Sequence, residues 1–179
     1  MDWNVVVTVD RDFERAEAEL EALGPVARTE YYNVLVMEVE DADAFLEELE
    51  DLGRLMPDFL EDCLARVEPA QRVFRFQSGE EFREKAGRAV RELAPRLAGR
   101  SFHVRMHRRG FGDELSSGEE ERELAGVVYD TLEEEGLAEP SVTFDDPDAV
   151  LSVETVSNRA GISVWTREDL SRRPILDPD

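Results

Sequence analysis

The sequence predicts a mixed α/β (α+β) fold in two units, a ferredoxin-like module over residues 1–70 and a second α/β unit over residues 71–179. Three observations carry this expectation. Short apolar runs of period two alternate with longer stretches of helical period along the chain. The first seventy residues arrange them as β-α-β-β-α-β, the order of a ferredoxin-like module. With 179 residues, 41% of them apolar, the chain has material for sizeable cores and is too apolar for wholesale disorder.

Each element has a local reason. "WNVVVTVD" is a strand, and "RDFERAEAELEALG" a helix with Phe13, Ala16, Leu20 and Leu23 on one stripe, stopped by Gly24-Pro25. "VARTEYYNVLVMEVE" breaks at Tyr32-Asn33 into two strands. "DADAFLEELEDLG" is a helix capped by Asp41 or Asp43. "MPDFLEDCLARVEP" predicts a further helix with Phe59, Leu60, Cys63 and Leu64 on one stripe, followed by a short strand. The second unit begins near Glu68-Pro69 with the strand "QRVFRF". A helix from Ser78 follows, with a capping box to Glu81 and a buried face of Phe82, Ala86, Ala89, Val90 and Leu93, and Pro95 ends it.

In "SFHVRMH" the residues Phe102, Val104 and Met106 alternate with His103, Arg105 and His107, which predicts a strand with one buried and one basic face. Gly110-Phe111-Gly112 is a turn. Ser116 or Ser117 starts the next helix, with Ser117 to Glu120 as a second capping box and Leu124, Val127, Val128 and Leu132 on its core side. Strands over 149–156 and 161–165 flank a turn at Ser157-Asn158-Arg159-Ala160, and the tail "RRPILDPD" is expected to be extended.

The net charge is −22, and Lys85 is the only lysine among 21 cations. Such a surface resembles that of proteins from salt-loving organisms, where ionic strength screens self-repulsion. Its Tm is expected to rise from dilute buffer to molar salt; equal stability in both would remove that explanation of the acidity. The distribution is uneven. Residues 83–109 hold nine cations and two anions, a local +7, so that with the total at −22 the remainder carries −29. Lys85, Arg88 and Arg91 lie one turn apart on a helix face, and Arg100, Arg105, His107, Arg108 and Arg109 run along the basic strand. Arginine forks fit phosphate, so this island points to nucleic acid, with Phe111 as a ring that stacks on a base or folds into the core. The other reading of the island is pairing with acids elsewhere on the surface.

Nothing in the sequence forms a catalytic constellation. His103 and His107 stand four strand positions, about 13 Å, apart, too far to share a metal ion. "DDPD" at 145–148 lacks the spacing of a calcium loop and reads as an Asp-Pro turn. There is no GxxxxGK[ST], GxGxxG or GxSxG motif. Cys63, the single cysteine, sits in an apolar stripe and reads as a core thiol. The expectation is therefore a binder without cofactor or metal. The N-terminal stretch reads as a first strand rather than a signal peptide, no run reaches the length of a membrane span, and a reducing, cytoplasmic compartment is expected.

The succession "SFHVRMHRRG", "SSGEEERELAGVVYDTLEEEG" and "VTFDDPDAVLSVETVSNRAGISVWTRED" resembles the THUMP domain over about residues 70–170. The resemblance implies an N-terminal ferredoxin-like module followed by a THUMP-like α/β domain that binds RNA. It carries over to Arg105, His107, Arg108 and Arg109 on the basic strand and to Asp146-Pro147-Asp148 before the last hairpin. With Lys85, Arg88, Arg91, Arg100, Phe111 and the hairpin residue Arg159, these basic and aromatic residues make the expected RNA surface. THUMP enzymes carry their chemistry on a separate domain. The chain looks most like the stand-alone THUMP adaptor, whose expected partners are tRNA and an RNA acetyltransferase. The alternative is an interaction subunit whose basic patch docks an acidic protein.

Overall fold

A computed structural model describes residues 1–179. The chain divides into two compact units, Met1–Pro69 with Ile175–Asp177, and Ala70–Pro174 with Pro178–Asp179. No helix is long and apolar enough to cross a membrane.

The first unit follows the β-α-β-β-α-β order. It runs β1 (Val5–Val9), α1 (Phe13–Glu21), β2 (Val26–Arg28), β3 (Val34–Met37), α2 (Ala42–Leu55) and β4 (Leu64–Pro69). The sheet order is β2-β3-β1-β4, antiparallel at every pairing, with Val7 opposite both Leu35 and Val67. Caps set the helix starts: the Asp12 carboxylate accepts from Arg15 N, and that of Asp41 from Ala44 N. The expected helix over "MPDFLEDCLARVEP" forms but is short, ending as a π-helical turn over Phe59–Cys63, because Leu64 already pairs with Val9 as the start of β4. Cys63 is buried, and burial pushes its thiol above the usual cysteine range, as suits an inert core residue.

The second unit runs β5 (Arg72–Arg75), α3 (Gly79–Leu93), β6 (Ser101–His107), α4 (Ser117–Glu134), β7 (Ser141–Val142), β8 (Ala149–Val156), β9 (Arg159–Thr166) and α5 (Arg167–Arg172). The sheet order is β5-β9-β8-β6-β7, with β6 parallel to β7 and β8 and the other pairs antiparallel. Phe82, Val90 and Leu93 of α3 and Leu124, Val128 and Leu132 of α4 share one core with Phe102, Val104, Leu151, Val153, Ile162 and Val164. Burying each such side chain contributes about 1.5–3 kcal/mol.

Three local expectations change. Glu120 does not close a capping box on Ser117; it is buried and accepts from Arg83 Nε (3.0 Å) and Nη2 (2.9 Å). Glu121 likewise turns inward, accepting from Met106 N at 2.9 Å. The last hairpin is tighter than expected, so Arg159 opens β9 rather than lying in the turn. The tail is not extended throughout: behind α5, which carries a capping box of Thr166 and Asp169, Pro174–Leu176 forms a 3₁₀ turn. The two-residue β7 was not legible in the sequence.

Candidate nucleic-acid interface

The basic face of β6 exists but is not open. His103 is 1% exposed. Its Nδ1 lies 3.1 Å from Thr143 O, its ring stacks on Phe144, and its Nε2 lies 2.8 Å from Asp179 Oδ2. Arg105 Nε donates to Asp179 Oδ1 at 2.6 Å, and His107 Nε2 stands 2.8 Å from Pro178 O. Residues 178 and 179 therefore lie along the strand that the sequence offers to RNA.

The end of β6 separates two arginines that the sequence treats alike. Arg109, 15% exposed at its side chain, pairs through Nη1 with Glu154 Oε2, on a carboxylate that is 2% exposed. Its backbone joins the same frame: Arg109 N donates to Thr155 Oγ1 and its carbonyl accepts from Ser157 N, both at 3.0 Å. Arg109 is thus a structural residue rather than a surface phosphate ligand. Arg108 folds over the following turn, donating from Nη1 to Gly110 O at 2.6 Å. A Cβ at Gly112 would meet that guanidinium at 3.1 Å, so glycine permits the approach.

Phe111 resolves to its inward alternative. Its ring packs 4.7 Å from that of Phe76 and leans on the core. It does so at φ 54°, the left-handed region that bulky residues rarely enter. Arg159 is buried, which removes it from the RNA surface.

On α3 the three cations are exposed or half-buried and paired. Lys85 bridges Glu81 at 2.6 Å, Arg88 bridges Glu84 at 2.8 Å, and Arg91 reaches Glu134 at 2.9 Å. The island is therefore largely matched by acids, as the surface-pairing reading expects. Such pairs are worth about 0–1 kcal/mol each, so a phosphate exchanges with their carboxylates at little cost. Arg100 is exposed where β6 begins; nearby, hydrogen bonds from Ser101 hold the Asp148 carboxyl below the usual carboxylate range, with Arg167 and Arg100 adding to the effect. Asp145–Asp148 is thus a turn whose last carboxylate is engaged by the β6 backbone. No three His, Cys, Asp or Glu side chains gather as a metal site.

Residues 77–164 match the THUMP domain family. The chain carries a THUMP domain. The match begins just ahead of α3 and closes within β9. No curated protein sequence matches the chain. Solved structures share the fold at low identity. The chain aligns with TrmN from Thermus thermophilus at 20% identity and TM-score 0.61, over 96% of this chain and 47% of that one. With PH1313 from Pyrococcus horikoshii the values are 14%, 0.59, 90% and 53%. With a 4-thiouridine synthetase in complex with RNA and bound ATP they are 18%, 0.57, 91% and 41%. The chain thus spans about half the length of these structures or less.

At the edge of the THUMP domain the geometry sets two cations without a role in the sequence analysis, Arg72 and Arg75, beside the expected Lys85 and Arg88. Arg72, Lys85, Arg88 and Phe74 line a groove of about 290 Å³ between β5 and α3. Arg72 pairs there with Glu92 at 2.6 Å. The groove adjoins the sheet end where β5, β6 and the β8–β9 turn meet: Phe76 N donates to Asn158 O (2.9 Å), Arg75 Nη1 to Asn158 Oδ1 (3.4 Å), and Lys85 Nζ to Arg75 O (2.7 Å). Arg72 and Arg75 were legible as two arginines within the six-residue strand "QRVFRF" that precedes a basic helix. Their apposition to Lys85 depends on β5 flanking α3, which no local pattern encodes.

Proposed function

We infer that this chain binds tRNA through its THUMP domain and presents it, without chemistry of its own, to a modification enzyme, an RNA cytidine acetyltransferase, in the cytoplasm. The observation that carries the reading is the basic groove of Arg72, Lys85 and Arg88, set beside Arg75 on a domain of the THUMP family. A fold likeness to a synthetase solved with RNA agrees with it. The adaptor part rests on a sequence without a phosphate loop or nucleophile elbow. Presenting a substrate accelerates a reaction by fixing proximity and orientation, which requires binding alone.

The test has two stages. Bulk tRNA binding is measured against salt for the wild type and for an Arg72→Ala, Arg75→Ala, Arg88→Ala triple variant. Removing one phosphate-binding cation flattens the slope of log affinity against log salt by about one unit. A folded triple variant with unchanged affinity and slope moves the site elsewhere. The acetyltransferase is then assayed on tRNA alone, with the wild type and with the triple variant. Acetylation should rise only with the wild type. Equal acetylation in all three removes the adaptor reading, product formed without the enzyme overturns the non-catalytic one, and capture of an acidic protein with no tRNA binding favours the interaction subunit.

A further inference from the structure

We propose that Phe144, His103 and Arg105 form a binding subsite for one unpaired nucleotide of RNA, and that Asp179 occupies its phosphate position when RNA is absent. The proposal rests on the RNA-binding reading and adds to it a second place on the domain, away from the α3 groove.

Phe144 is 68% exposed, which alone would mean little. Its ring, however, is held. One side stacks on His103, with centroids 5.0 Å apart and planes inclined by 29°, while the residue's exposure leaves ring surface for a ligand. His103 is itself fixed, being 1% exposed with Nδ1 3.1 Å from the carbonyl of Thr143, the residue before Phe144. The aromatic platform is thus braced by a buried ring, the arrangement on which a base stacks without first ordering the side chain.

The same histidine joins the platform to an anion seat. The Asp179 carboxylate spreads its two oxygens over His103 Nε2 (2.8 Å) and Arg105 Nε (2.6 Å). The Nε2 contact is close but lacks hydrogen-bond alignment, so this buried nitrogen lies beside the seat with its hydrogen-bonding capacity unsatisfied. A phosphate brings a third oxygen and a tetrahedral spread that a carboxylate lacks, and the arginine fork accepts either anion. Arg105 and Asp179 are each more than one-third exposed at the side chain, so the carboxylate can leave without unfolding its surroundings. A flat apolar ring and an anion seat sharing one histidine match the base and phosphate of a nucleotide. A duplex, with its bases stacked and paired, offers the ring nothing.

The experiment is anisotropy titration of the whole 179-residue chain with bulk tRNA across a salt series. Phe144→Ala should weaken binding roughly fivefold to a hundredfold with an unchanged salt slope, because stacking releases no counterions, and Phe144→Trp should restore affinity. Asp179→Asn should tighten binding and steepen the slope by about one unit, a gain that vanishes when Arg105→Ala is added. A wild type that binds tRNA while Phe144→Ala and Asp179→Asn both match it overturns this subsite and leaves the RNA-binding reading standing. A wild type that binds no tRNA overturns both.

Discussion

Arg109→Ala should lower the unfolding free energy by about 3–5 kcal/mol, whereas Arg88→Ala should change it by about 0.5 kcal/mol or less. Both arginines lie in the basic island, and the sequence assigns both to RNA. The difference is burial. Glu154 stands inside β8, opposite His107 on one side and Gly161 on the other, with a carboxylate that is 2% exposed. Removing the Arg109 guanidinium takes away the cation that offsets its desolvation. The Arg88–Glu84 pair is an exposed i,i+4 contact that water replaces. Urea denaturation of the two variants decides it. Replacing both partners, as in Arg109→Met with Glu154→Leu, should recover much of the loss. Equal stability of Arg109→Ala and wild type would show that the buried pair contributes nothing and would return Arg109 to the candidates for RNA contact.

Phe76→Ala should cost about 3–5 kcal/mol, the range for removing a fully buried aromatic ring. Phe76 is 0% exposed, with Phe82 edge-on at 5.2 Å, Phe74 at 6.2 Å and Phe111 at 4.7 Å. It follows β5 directly and supports the start of α3, so the cavity would open where strand, helix and turn meet. The loss should also have a local signature. Phe111 is held in the left-handed region against Phe76, and its carbonyl accepts from Glu114 N (3.0 Å) and Leu115 N (2.8 Å). Without the supporting ring, amide exchange at Glu114 and Leu115 should accelerate more than at Leu151 in central β8. Phe76→Leu should lose about half as much stability. A Phe76→Ala variant with wild-type stability and unchanged exchange would contradict this account of the turn.

The sequence spoke clearly wherever one residue and its near neighbours settle the outcome. Asp41 and Ser78 cap their helices because the acceptor and the orphan N–H groups lie within three residues. The alternation of Phe102, Val104 and Met106 gave β6 and its core face correctly. It was silent or misleading where a distant partner intervenes. Ser117 to Glu120 has the letters of a capping box, but Arg83, 37 residues earlier, takes the carboxylate. The exposed side of β6 is set by Asp179, 74 residues past Arg105. The stripe Phe59–Leu64 has helical spacing, yet pairing with β1 converts its end to strand. Periodicity states that a face is buried or basic and says nothing about what will lie against it.

The strand order of the second unit has a kinetic corollary. β5 pairs with β9, so Arg72 and Val73 meet Ile162 and Gly161 across nearly ninety residues of intervening chain. During synthesis the edge of that sheet stays unpaired until the final hairpin emerges, while every strand of the first sheet lies within Val5–Pro69. Closing the longer loop costs more chain entropy before any contact rewards it, and parallel β6–β8 pairing adds to the delay. The first sheet can therefore complete its strand pairing while the second unit still displays "QRVFRF" as a bare edge carrying two arginines. Charge on that strand resists adhesion to other nascent chains through the interval. Arg72 would then serve the chain twice, as a guard of an unfinished sheet and later as a wall of its groove, with Arg75 beside it.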